Sequence, residues 1–182
     1  MKANITQTLV DEHQLILRMI ALLEKNAPKT AEGVYFNWQF YLDGIDFIRQ
    51  YADRYHHAKE EDVLFKSLVD NGMPKDHSPV AAMLMEHDQG RSFVRAMEAA
   101  VQLAQEGSQN TCQEIADNAL GYAALLREHI SKEDDILYPL AERVIPETMR
   151  VGILQGYQAA EQLVSTDFGE HYQAIITQYE QE

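Results

Sequence analysis

His56-His57-Ala58-Lys59-Glu60-Glu61-Asp62-Val63-Leu64-Phe65 and His129-Ile130-Ser131-Lys132-Glu133-Asp134-Asp135-Ile136-Leu137-Tyr138 are one word written twice. Each begins with His, reaches Lys-Glu three and four residues on, and closes on an acidic run with an aromatic end. Each also follows a Glu-His pair, Glu12-His13 before the first word and Glu86-His87 before the second, at nearly equal separations. In a helix, His and Glu at i and i+4 share a face one turn apart. The duplicated pattern therefore offers four imidazoles and two carboxylates to a two-metal site between paired helices.

Working outward, the apolar periodicity is helical almost throughout. Leu9, Ile16, Leu17, Ile20 and Leu23 define a first helix from Ile5 to Glu24, followed by a loop around Asn26-Ala27-Pro28 and Gly33. A second helix is expected from Val34 to Val69, stopping at Asp70-Asn71-Gly72, where Asn or Gly can take the left-handed cap. Ser78-Pro79 opens a third, which ends before Gly107, and Thr111 with Glu114 reads as a capping box opening a fourth, to Val144. Pro139 should bend that helix near its end. Pro146 starts a shorter helix to Val164, and a last one follows from Asp167 to Tyr179. The expected fold is all-α: an antiparallel up-down-up-down four-helix bundle over 1–144, with additional short C-terminal helices over 145–182 packed on the same domain.

Composition narrows the function classes. The net charge of −14 repels nucleic acid and anionic membrane surfaces, so neither is an expected partner. No apolar run approaches a membrane span and the N-terminal residues carry no signal-peptide segment, which gives a cytoplasmic expectation. The single Cys112 excludes an internal disulfide, a thiolate zinc site and a CxxC redox centre.

The candidate ligands must face the core. At about 100° per residue, Leu9, Leu17 and Ile20 lie within roughly 40° of His13. Val80, Met83 and Val94 flank His87 in the same way, and Tyr122, Leu125, Ile136 and Leu140 flank His129. In the doublet, His56 lies roughly 20° from Ile45 on the apolar stripe and His57 roughly 120° away. The repeat agrees, since Lys59-Glu60 aligns with Lys132-Glu133. The expected metal ligands are therefore His13, His56, Glu60, His87, His129 and Glu133, with His57 and Glu61 outside them or in solvent. A lone His on an apolar stripe is usually a satisfied core residue. Four of them with two inward carboxylates would be costly to bury without a cation.

These residues resemble the hemerythrin-like proteins, the HHE cation-binding domains. His13, His56-x-x-x-Glu60, His87 and His129-x-x-x-Glu133 stand in that family's order across four helices, over residues 5–143. The resemblance implies a carboxylate-bridged centre of two non-haem iron ions, with manganese or zinc compatible with the same donors. Oxygen-carrying members have a further His where this chain has Arg91, and an Asp in the register of Asp134 rather than Glu133. The four-His, two-Glu set is similar to domains associated with iron sensing, nitric oxide response and iron–sulfur repair. It implies binding or sensing of oxygen, nitric oxide or peroxide, or iron handling; the alternative is a catalase-like or oxidase enzyme. Arg91 could stabilise a bound anion, pair with a carboxylate or reach to the bundle end. Trp38, Tyr41, Tyr55 and Tyr122 read as core, His77 and His171 as surface, and Lys59 and Lys132 as solvated. The acidic surface and C-terminal helices could serve a protein partner or a homodimer, without a motif naming one.

Overall fold

The computed structural model describes residues 2–108 and 111–182, and among these it contains helices and no strand. Helix α1 spans Gln7–Ala31. Helix α2 is a continuous rod over 38–70, α-helical at Trp38–Phe47, π-wound at Ile48–His57 and Glu60–Phe65, and α-helical again at Lys66–Asp70. Helix α3 is Pro79–Gln105, capped by Ser78, whose hydroxyl accepts from the Ala81 amide. Helix α4 covers 111–144, with a π segment at Glu133–Leu137. Helices α5 (Glu147–Glu161) and α6 (Phe168–Glu180) follow.

Side-chain bonds fix the directions. His13 meets Asp134 while Arg127 meets Glu24, so α1 and α4 are antiparallel. Arg49 with Glu98 and Glu61 with His87 set α2 against α3, and Glu12 with His56 and Thr30 with Tyr41 set α1 against α2. Glu86 with Lys132 does the same for α3 and α4. The result is the antiparallel bundle, with the C-terminal helices on its outside. Tyr172 and Tyr179 of α6 donate to Asp46 and Asp43 of α2, and Arg18 of α1 holds Glu180. Buried Arg150 of α5 ties the Ala3 carbonyl to the Glu142 carboxylate. Gly156 brings α5 close to α2, since a Cβ there would stand 2.8 Å from Val63.

Two local expectations change. The first helix does not end at Asn26-Ala27-Pro28; it runs through Pro28 to Ala31. Pro28 forfeits one backbone bond near the helix end, while Asn26, Ala27 and Thr30 are buried there and Thr30 bonds to the Tyr41 hydroxyl at 2.7 Å. Packing outweighs the lost bond. Thr111 is already helical rather than the cap, and Asn110, which precedes it, lies outside the described residues. Pro139 stands two residues after the π segment of α4, separated from it by Tyr138.

The apolar core divides into two clusters. One contains Ile16, Ile20, Ala52, Val94, Leu126 and Ile130; the other contains Leu9, Leu64, Met83, Leu137 and, from α5, Ile153 and Tyr157. On α1, α3 and α4 the candidate histidines fall where one cluster gives way to the other. The polar layer lies between two dry ones.

Candidate metal centre

The layer is built from the Nδ1 side inward. His13 Nδ1 lies 2.9 Å from Asp134, His56 Nδ1 2.9 Å from Glu12, His87 Nδ1 2.7 Å from Glu61 and His129 Nδ1 2.9 Å from Glu86. A carboxylate beside Nδ1 makes that nitrogen the donor and leaves Nε2 as a bare acceptor. This arrangement orients imidazoles that bind metal and raises their basicity. The repeat extends into this supporting layer. Glu12 and Glu86, from the two Glu-His pairs, each support the His of the following word, and Glu61 and Asp134 occupy matching positions behind Glu60 and Glu133.

The Nε2 atoms converge. Those of His87 and His129 stand 3.0 Å apart. Glu133 reaches both sides, with one oxygen 3.4 Å from His13 Nε2 and the other 3.3 Å from His129 Nε2. Glu60 Oε2 lies 3.7 Å from His56 Nε2 and 3.5 Å from His87 Nε2. Two sets result: His13, His56, Glu60 and Glu133, and His57, Glu60, His87 and His129, each with ligand atoms within 4.8 Å of one another. All six expected residues are thus brought together.

The fit to cations is tested by what is left over. Glu60 Oε2 and both oxygens of Glu133 are buried without a hydrogen-bond partner. Facing imidazole lone pairs and orphaned carboxylate oxygens repel unless a positive charge lies between them. Burial and the neighbouring Glu133 push the Glu60 carboxyl well above its ordinary range, so without a cation this pair holds a proton instead. His13 loses by burial but gains more from Asp134 and Glu133, and stands at about 9. Burial holds His56 and His57 well below the usual histidine value. The donor set fits divalent cations that accept nitrogen and oxygen ligands.

His57 requires a correction. It does not turn to solvent: it is 6% exposed, its ring stacks on His87 at 3.7 Å, and it belongs to the second ligand set. The 100° projection holds only for an α-helix, and Ile48–His57 is π-wound. A π turn bonds i to i+5 and holds more residues, so each residue rotates less and two neighbours can share the inner face. His57 Nδ1 is buried without a hydrogen-bond partner, its nearest carboxylate being Asp53 at 3.4 Å. Glu61 supports His87 and stands outside these two sets, in a less buried third group with Asp53 and His57.

Arg91 pairs with Asp53, Glu61 and Asp88, each at 2.7 to 2.9 Å. It therefore braces the carboxylates behind His57 and His87 and touches no candidate ligand. Burial opposes the charge on Glu61, but His87 and Arg91 hold its carboxyl down at about 2. Of the two lysines expected to be solvated, Lys59 departs from that expectation and partly exposed Lys132 does not. Lys59, in the short α-helical step between the two π segments, is fully buried over the Tyr55 ring and bonded to Glu12 and to Glu161 of α5. Lys132 bonds to Glu86. His77 and His171 are exposed and far from the layer, whereas Tyr41 and Tyr122 are core.

The repeat breaks at its aromatic ends. Tyr138 stacks on His13 and donates to Glu60 at 2.5 Å, whereas its counterpart Phe65 lies beside His87 with no hydroxyl to offer. A cavity of about 230 Å³ reaches His57, His87 and His129 from the outside. It does not reach His13 or His56.

Fold and site together define a helical bundle with buried histidine and carboxylate groups that could hold cations. Residues 4–141 match the model of the hemerythrin HHE cation binding domain, and the chain belongs to that family. No curated protein and no solved structure matches it. Among the described residues no helix is long and apolar enough to cross a membrane.

Proposed function

We propose that five histidines (His13, His56, His57, His87 and His129) with Glu60 and Glu133 hold two non-haem iron ions. We infer that the pair binds or senses a small ligand: oxygen, nitric oxide or peroxide. The observation that carries this reading is the convergence of imidazole nitrogens on three orphaned carboxylate oxygens, each convergent set sharing Glu60. Manganese or zinc suits the same donors, but bound iron would supply the electrons and open coordination that such ligands require.

The protein's own groups divide the remaining work. Glu60 and Glu133 span the two sets and hold them at a fixed separation. Asp134, Glu12, Glu61 and Glu86 orient the imidazoles from behind. Tyr138 occupies one oxygen of Glu60 and keeps the other turned inward. The cavity admits a ligand on the His57, His87 and His129 side, while Tyr138 and Tyr157 close the His13 side to water. Storage or delivery of iron fits less well, since every candidate ligand is buried. The test is the absorption spectrum of iron-loaded protein as oxygen, nitric oxide or hydrogen peroxide is added. Binding predicts a saturable change that reverses on removing the ligand. Many peroxide turnovers per chain would instead establish the catalase-like or oxidase alternative, and no spectral response would sink both.

A further inference from the structure

The cavity is larger than a diatomic ligand needs. Liquid water occupies about 30 Å³ per molecule, and this space measures about 230 Å³. It runs from His87 to Arg95, eight residues apart on α3, which corresponds to roughly 12 Å of helical rise. Between those ends Ile48, Val94, Tyr122 and Leu126 form an apolar stretch, and the two carboxylates that also line the slot are already paired, Asp53 with Arg91 and Glu86 with Lys132. Gly90 keeps the walls apart: a Cβ there would already touch Tyr122 at 3.5 Å and Leu126 at 3.6 Å.

Three arginines line this one slot, and they are not equivalent. Arg91 is occupied by three carboxylates, and Arg49 holds Glu98 through two bonds of 2.5 and 2.7 Å. Arg95 is exposed and donates only to the Ser92 hydroxyl, and no acidic group pairs with it among the described residues. An elongated slot with an apolar stretch, its carboxylates and two of its arginines already paired, and one free cation at its outer end matches an apolar body that carries one negative charge.

We propose that this slot binds a small organic monocarboxylate, with the carboxylate on Arg95 and the apolar body along Val94, Tyr122 and Leu126. The inner end of such a molecule points at the His57, His87 and His129 set. This goes beyond a diatomic ligand, and it rests on the slot walls rather than on a bound metal. The probe is benzoate, titrated calorimetrically into the full chain, with benzamide as the uncharged match in size. Benzoate should bind about fivefold more tightly than benzamide, the worth of one exposed ion pair. Arg95→Gln should remove that preference, and Gly90→Leu should abolish binding of both, each with unchanged metal content and helicity.

Absence of benzoate binding, equal affinity for benzamide, or full benzoate affinity in Arg95→Gln would overturn the proposal. Binding that requires metal and ignores Arg95 would place the carboxylate on the metal, which also overturns it. Metal content measured on the same samples separates the two readings. Benzoate binding to a preparation without metal leaves the slot standing while the metal assignment fails.

Discussion

The two halves of the candidate centre descend from one repeated word, yet they are built differently. The His13 and His56 half is shut: Tyr138 stacks on His13, Tyr157 of α5 lies behind it, and Lys59 locks Glu12 to the C-terminal helix. The His87 and His129 half opens on a cavity, has Phe65 where its twin has Tyr138, and gains a third imidazole from His57. The supporting carboxylates are nearly the same in both. What distinguishes them is access. A repeat that supplies two equal sets of donors has been biased so that one side holds and the other receives.

Substitution of the shared residue should have the largest effect. Glu60→Gln removes a ligand from both halves, so metal content should fall from two ions per chain to below one. The metal-free variant should melt higher than metal-free wild type, because an ionisable group that burial and Glu133 disfavour has gone. Retention of two ions would show that the halves do not depend on Glu60.

Next in size is the separation of the halves themselves. His56→Ala and His57→Ala should each leave about one ion per chain, lost from opposite sides, as read by metal analysis. If His57→Ala keeps both ions, the open half has no third imidazole and the difference drawn here is broken.

The pH response should also be unequal. His13 at about 9 is protonated at neutral pH without metal, so binding must expel its proton, whereas His56 and His57 are already neutral. Affinity in the closed half should rise by about tenfold per pH unit below about 9 from the His13 proton alone, and more steeply where the Glu60 proton is displaced as well. In metal-free protein the raised His13 value stabilises the fold fully below the unfolded value near 6.5, and that contribution is lost as pH rises through about 9. Thermal melts from pH 6 to 10 test the sign, and His13→Asn should flatten this part of the profile.

The smallest effect expected is that of Tyr138→Phe, which gives the closed half the residue of the open one. Leaving the buried Glu60 oxygen without its hydroxyl partner should cost about 1 to 3 kcal/mol in metal-free protein, with metal content unchanged. Loss of an ion as well would make the hydroxyl part of the closed half's donor set.

Much of this was legible in the residues. The bundle followed from apolar periodicity and from Ser78-Pro79 and Gly107 as punctuation, and the six expected ligands followed from the repeat. His57 was misplaced because the projection assumed an α-helix where the chain is π-wound, and periodicity at 100° carries no warning of that. Lys59 was misplaced because its partners, Glu12 and Glu161, come from other helices. The supporting Glu12 and Glu86 were visible in the paired Glu-His words, but only the fold shows that each serves the other imidazole of its half. Pro28 read as a stop because local cost was weighed without the packing around Thr30. The cavity had no sequence signal, since its walls come from three helices.

The most direct test of the central claim is metal analysis of protein purified without added metal, with an absorption spectrum taken in air. The account predicts two iron ions per chain and visible absorption that disappears when the iron is removed. One ion or none per chain, or zinc with no visible absorption, would contradict it.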